Sequence, residues 1–228
     1  MMAEHTTLQD GAARDKPEES RLLKEIHHQI KNNLQVVCSL LRLESRQATS
    51  PEQKAILKRS EQRVLSMALV YDALSRSPSF FEVPIHECIS DLAAQLVRSL
   101  AGVSSSSSSA LDLRLEPIFV PCRVASSLGL IMNEILTDRL AAPVADGEAR
   151  SLTIVLQRQD DGILLEVRDN AVSVVEDDAS ADASAALSMQ IVRALVQQLG
   201  GTLEKGRDSQ NFCRFVVPGG ALLHSARH

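Results

Sequence analysis

From residue 17 to about residue 47, the apolar positions Leu23, Ile26, Ile30, Val37 and Leu40 advance by threes and fours, with Asn33 in the step between Ile30 and Val37. Leu34 and Leu41 widen the stripe, and the spacing predicts one long amphipathic helix. Ser50, Pro51 and Gln53 then open a second one: Ser50 can cap, Pro51 suits the first helical position, and Gln53 can complete a capping box. Its apolar face of Leu57, Val64, Met67, Tyr71 and Leu74, with Ser60 in register, predicts a helix to about Ser75. The short turn between them makes an antiparallel hairpin. A hairpin with so broad a stripe cannot bury both faces alone, so two chains are expected to pair as a four-helix bundle. The competing arrangement packs the hairpin on the rest of its own chain.

The period changes beyond a linker around Pro78. A helix is predicted from about Pro84 to Leu100, followed by a serine run at residues 104–109 that is too polar for a core. The stretch ALDLRLEPIFVP alternates like a strand with a short partner, and residues 123–140 read as a helix. SLTIVLQRQDDGILLEVRD reads as a hairpin about its Asp-Asp-Gly turn. A helix over residues 186–199 stops at Gly200-Gly201, and two last strands follow. With all helices on one face of a mixed sheet, the fold class is α+β: a helical hairpin followed by an α/β sandwich. The division is a flexible N-terminus at 1–17, the hairpin at 18–77, the sandwich at 78–218 and a tail at 219–228.

Composition narrows the function classes. The chain is 44% hydrophobic and 23% charged, which is globular rather than disordered. No apolar run is long enough for a membrane span and no signal segment precedes the first helix, so a cytoplasmic location and no membrane partner are expected. The net charge of −5 is uneven, because residues 1–78 hold 12 Lys+Arg against 10 Asp+Glu and leave 12 against 19 for the rest. That distribution, with no Trp and one Tyr, argues against a nucleic-acid partner. Cys38, Cys88, Cys122 and Cys213 are too scattered for a disulfide framework or a zinc site.

The chemistry concentrates in KEIHHQIKNN, Lys24 to Asn33. On the helical wheel His28 points roughly 160° from the centre of the apolar stripe and His27 about 60°. His28 is therefore the solvent-facing imidazole and the candidate nucleophile, with His27 as the alternative phosphoacceptor. Glu25 precedes His28 by three residues, and Lys31 and Asn32 follow by three and four, which puts a carboxylate and two donors within one turn of it. Such a ring nitrogen can accept and return a phosphoryl group. A metal pair is excluded, since adjacent helical residues diverge by about 100° and no third ligand is near.

Residues 22–46, LLKEIHHQIKNNLQVVCSLLRLESR, resemble the dimerisation and phosphoacceptor segment of a subclass of bacterial sensor histidine kinases. Glu25, Ile26, His27, His28, Lys31, Asn32, Asn33, Leu34 and Gln35 match, and Gln29 replaces the customary arginine. The resemblance implies His28 as phosphoacceptor. Residues 80–218 resemble the ATP-binding domain that follows in that family: IMNEILTDRLAAP is similar to its N-box, and LSMQIVRALVQQLGGTLE to the helix and strand after its lid. Against that pattern Glu134 and Asp169 are kept, but Asp138 stands for the metal-binding Asn and Ala141-Ala142 for a Lys-His pair. Ala171, Ser173, Ala186 and Ser188 stand where glycines are expected. The substitutions imply a degenerate ATP-binding domain with Glu134, Asp138 and Asp169 as vestigial positions, no metal site, and no productive ATP binding.

The expectation that follows is a histidine phosphotransferase of a multistep bacterial phosphorelay, without autokinase activity and without a core cofactor. His28 would be the carrier and Glu25, Lys31 and Asn32 its support, with Mg²⁺ belonging to the partner receiver. The partners would be a second copy, response-regulator receiver domains docking near Gln29, Leu40, Arg42 and Ser45, and an upstream hybrid kinase or receiver. The alternatives are a divergent sensor-type histidine kinase that autophosphorylates from ATP, and a non-catalytic regulator-binding protein.

Overall fold

The computed structural model describes residues 15–77, 79, 81–101, 110–145, 148–160, 162–172 and 183–223. Residues 1–14 of the expected flexible start, the serine run and most of the acidic lid remnant lie outside these residues, while 15–17 already belong to the first helix.

Helix α1 (Asp15–Gln47) and helix α2 (Pro51–Arg76) form the predicted hairpin. The Ser50 side chain accepts a hydrogen bond from the Gln53 backbone N–H at 3.1 Å, and Pro51 fills the first turn, where no N–H is missed. The buried face of α2 is Ser66, Ala68, Val70, Ala73 and Leu74, which turns its C-terminal half toward the sandwich rather than toward solvent. Fully burying a side chain such as Leu74 contributes about 1.5–3 kcal/mol. On α1 and its turn, Leu22, Ile26, Val36, Val37, Leu40 and Leu43 stay exposed.

The second segment runs β1 (Glu82–Pro84), α3 (Ile85–Ala101), β2 (Ala110–Leu115), β3 (Phe119–Pro121), α4 (Cys122–Ala141), β4 (Ser151–Gln159), β5 (Gly162–Asp169), α5 (Ala183–Gln198), β6 (Thr202–Arg207), β7 (Asn211–Val217) and α6 (Gly219–Leu222). The main sheet has the order β2-β4-β5-β7-β6, with β2 parallel to β4 and the other pairs antiparallel. Leu152, Ile154 and Leu156 on β4 and Cys213, Phe215 and Val217 on β7 are buried at every second residue. That single apolar face packs with Ile89, Leu128, Ile131, Leu136 and Val192 of α3, α4 and α5 into one core. The result is a helical region followed by a mixed α/β sandwich. Among the described residues no helix is long and apolar enough to cross a membrane.

Two local features depart from the sequence reading. β2 and β3 do not pair with each other: β2 joins the main sheet and β3 pairs with β1, which arises from the segment read as linker. The tail begins with α6, held by the Arg123 guanidinium donating to the Ala221 carbonyl at 2.8 Å. The helix stop does match: Gly200 has φ +66°, its N–H donates to the Gln197 carbonyl, and the Gly201 N–H donates to that of Val196, so two orphan carbonyls of α5 are satisfied.

Helices α2 and α4 approach closely. A Cβ on Gly129 would lie 3.2 Å from Val70 Cγ2 and 3.7 Å from the Ser66 carbonyl, so glycine lets the two helices meet there. Continuing along the seam, Arg63 meets Glu134 and Arg59 meets Asp138, so residue numbers fall on α2 as they rise on α4. This antiparallel seam joins the hairpin to the sandwich.

Candidate functional site

His28 is exposed on α1, and His27 is half-buried with its ring 6.3 Å from that of Tyr71. Burial and the neighbouring His28 both push the His27 imidazole below its usual range, and its Nδ1 is buried without a hydrogen-bond partner. A solvent-facing imidazole is the freer nucleophile. Glu25 and Asn32 are exposed as well. Lys31 is engaged across the hairpin: its Nζ pairs with the Asp72 carboxylate, which also faces Arg76 at 3.4 Å. Arg42, expected on a docking face, is exposed and pairs with Glu61 of α2, while Gln29 and Leu40 are exposed and Ser45 half-buried.

The positions that resemble an ATP site lie on the C-terminal half of α4, Glu134 and Asp138, and at the end of β5, Asp169. Glu134 is 1% exposed and its carboxylate is saturated: Arg63 Nε and Nη2 donate to its two oxygens at 2.8 Å each, Ser188 Oγ donates at 2.6 Å and Asn133 Nδ2 at 3.1 Å. Burial alone would raise the Glu134 carboxyl, but these donors outweigh it and hold it below the usual range. Asp138 accepts from Arg59 Nη2 at 2.8 Å, and Arg59 Nη1 donates to Ser188 Oγ at 3.0 Å. Here burial wins and the Asp138 carboxyl is raised despite Arg59.

Asp138 and Arg139 line a cavity of about 470 Å³ together with Ala171, Lys205, Asn211 and Phe212. That volume is within the range of small-molecule sites. Behind the cavity-lining residues Ala171 and Asn211, Asp169 is 1% exposed, with Oδ1 accepting from the Ala171 N–H at 2.8 Å and from Asn211 Nδ2 at 3.1 Å. Asp169 Oδ2 lies at an ion-pair distance of 3.3 Å from Arg139 Nε, yet among the described residues this buried oxygen has no hydrogen-bond donor. A buried acceptor without a donor fits an amino group such as that of adenine. The cations Arg139, Lys205 and Arg207 on the same wall fit a polyanion. Among the described residues no cluster of three or more metal-ligating side chains occurs.

The structure brings Glu134 and Asp138 into one network and sets Asp169 behind the cavity-lining Ala171 and Asn211, while His28, Glu25, Lys31 and Asn32 stay on the hairpin. The sequence reading missed Arg59, Arg63, Arg139 and Asn211, and read Ser188 only as a lost glycine. The one available signal was spacing, since Arg59 and Arg63 are four apart, as are Glu134 and Asp138.

A helical hairpin bearing an exposed histidine and joined to a cavity-bearing α/β sandwich is the architecture of a histidine kinase catalytic region. The histidine kinase family (HisKA_2) matches residues 25–100. The chain is 31% identical over 198 residues to the sensor histidine kinase PdtaS of Mycobacterium tuberculosis, a match covering 82% of this chain and 38% of that protein. It is 25% identical over 194 residues to blue-light-activated histidine kinase 2 of Erythrobacter litoralis, covering 82% of this chain and 54% of the relative. The chain thus spans little more than a third to about half the length of these relatives. It shares the fold of the histidine kinase domain of the Erythrobacter litoralis EL346 blue-light-activated histidine kinase, with a TM-score of 0.62 at 22% identity over 90% of this chain and 97% of that one. Residues 25–100 thus match the histidine kinase family, and the chain has the fold of a histidine kinase domain.

These findings correct three expectations. The relatives that match about four fifths of the chain are sensor histidine kinases, which overturns the reading of a phosphotransferase working only between receivers. The expected lack of autokinase activity and the expected loss of ATP binding fall with it. The physical reason lies in the backbone. Ala171, Ala186 and Ser188, standing where glycines were expected, have no positive φ, so no left-handed conformation is required there. The Ser188 side chain, read as an obstruction, instead donates to Glu134.

Proposed function

We propose that this chain is the catalytic region of a sensor-type histidine kinase that phosphorylates His28 from ATP and passes the group to an aspartate of a response-regulator receiver. The observation that carries the reading is the presence, in one chain, of an exposed imidazole on a helical hairpin and of a buried acceptor, Asp169 Oδ2, on a carboxylate bonded to Ala171 and Asn211 of a cation-walled cavity. The names of the relatives support it. In the transfer, a ring nitrogen of His28 forms a bond to the γ-phosphorus as the bond to the bridging oxygen breaks, and ADP leaves with that electron pair. Glu25 is spaced to take the imidazole proton, and Asn32 to donate to a phosphoryl oxygen. Lys31 holds α1 to α2 through Asp72, and a phosphoryl group on His28 would compete for its charge. Asp169, beside the cavity-lining Ala171 and Asn211, would orient the base, and the cations Arg139, Lys205 and Arg207 would face the phosphates.

The hairpin (18–77) and the sandwich (78–218) act as separate working parts in this reading. The His27–Tyr71 and Lys31–Asp72 contacts set the histidine pair level with residues 71–72 of α2, whereas the seam to the cavity helix lies at residues 59–63. At 1.5 Å per residue the two levels are roughly 12–20 Å apart along α2. Transfer therefore requires the parts to shift, or the acceptor to come from a second chain. The exposed stripe on α1 supports a homodimer through a four-helix bundle.

The test is incubation of the whole chain with γ-labelled ATP and Mg²⁺, comparing wild type, H28A, H27A and D169N. Acid-labile, base-stable label on wild type and H27A, absent from H28A and D169N, is expected. Wild type that neither labels nor binds nucleotide refutes the proposal.

A further inference from the structure

A carboxylate on the wall of a site for a triphosphate is an electrostatic burden: two like charges a few ångströms apart in a partly desolvated cavity repel by several times what they would in water. Asp138 is such a carboxylate, since it lines the cavity. Its counter-charge does not come from the sandwich's nearest helix. It comes from the hairpin, where Arg59 Nη2 donates to Asp138 Oδ1 at 2.8 Å. The same guanidinium is steadied by a second bond, Nη1 to Ser188 Oγ at 3.0 Å, and Ser188 is fixed in turn by donating to Glu134. Arg59 is thus held in one orientation from two sides, in contact with both α4 and α5.

The neighbouring Arg63–Glu134 pair has a different place. Glu134 is buried with every oxygen engaged and is absent from the cavity lining, so that pair holds the seam. Asp169 has its own cation in Arg139. Lys205 on β6 also acts favourably on Asp138, but less than Arg59 does.

We infer that Arg59 of the phosphoacceptor hairpin is part of the nucleotide site, where it neutralises Asp138 so that a triphosphate can lie against that wall. The inference rests on the ATP reading above and adds a residue to it. The Arg59–Asp138 pair does the work of one neutral polar group, and the cavity has its full positive character only while α2 is docked on α4. Nucleotide loading then belongs to the docked arrangement, and by linkage a bound triphosphate favours that arrangement.

The experiment is displacement of trinitrophenyl-ATP from the full chain by Mg·ATP and, separately, by adenosine, which lacks the phosphates. The chains compared are wild type, R59Q, R59K and the double variant D138N/R59Q, each checked for its folded circular dichroism spectrum. R59Q is expected to weaken Mg·ATP about tenfold and leave adenosine unchanged, with R59K intermediate and D138N/R59Q within about threefold of wild type. Because the double variant removes both charges, its recovery separates charge compensation from a loss of packing. Mg·ATP binding to R59Q that is unchanged or tighter, an equal loss for adenosine and Mg·ATP, or no recovery in the double variant overturns the inference. Wild type that binds neither the probe nor Mg·ATP overturns the nucleotide reading itself, and the inference with it.

Discussion

Replacing Arg63 with methionine tests the seam between hairpin and sandwich most directly. The substitution keeps most of the aliphatic stem and removes the guanidinium that donates twice, at 2.8 Å, to Glu134. A carboxylate 1% exposed is left with Ser188 and Asn133 as its only donors. Breaking a buried pair by deleting one partner costs about 3–5 kcal/mol, and the two surviving donors put this case near about 3 kcal/mol. For a chain of this length that corresponds to a fall of roughly 6–12 °C in Tm. The pH dependence has a definite sign. In wild type the Glu134 carboxyl is held below its ordinary range, so its contribution is complete above the unfolded pKa and is lost as pH falls through the folded one. Without Arg63, burial pushes the same carboxyl up, and the variant recovers stability as pH falls from neutral through that raised value. The gap between the two proteins should therefore shrink from about pH 7.5 to about pH 5. Urea unfolding followed by far-ultraviolet circular dichroism at both pH values measures it. The double replacement R63M/E134L, which removes the charge with its partner, should lie within about 1 kcal/mol of wild type. A single variant that loses less than about 1 kcal/mol, or a double variant no better than the single, would refute the account of the seam.

Burial raises all four thiols, and that of Cys88 is pushed up to about 12. The native protein should thus react slowly with a disulfide reagent at neutral pH and release four equivalents only on unfolding, whereas a fast native burst would contradict the packing. Aspartates at Val37 and Leu40 add charge to the exposed α1 stripe without touching the core, and light scattering should show a dimeric wild type and a monomeric variant with an unchanged circular dichroism spectrum. Wild type that is already monomeric at micromolar concentration sinks the bundle proposal.

Periodicity made most of the elements legible, because each buries one face. Both hairpin helices, the α4 helix, the β4–β5 hairpin and the Gly200 stop follow from spacing and turn chemistry that act within a few residues. What the spacing hid is partnership. β1 has only three residues and pairs with β3 across an intervening helix, so no local pattern marks it. The proposed nucleotide site failed to show for the same reason. Reading Asp138, Ala171 and Ser188 one at a time against a family pattern made each a loss. In the fold, Asp138 has Arg59, Ala171 supplies a backbone N–H to Asp169, and Ser188 donates to Glu134. Those partners lie between 2 and 79 residues away in sequence. Arg59 and Arg63 share their four-residue step with Asp138 and Glu134, but a shared step becomes a pair only once the register is set. Gly129 sets it by letting α2 close on α4 at Ser66 and Val70, which brings the two arginines opposite the two carboxylates. A substitution that looks like decay in a single helix is thus a change of partner in a packed pair, and the chemistry of the cavity has to be judged with the hairpin in place.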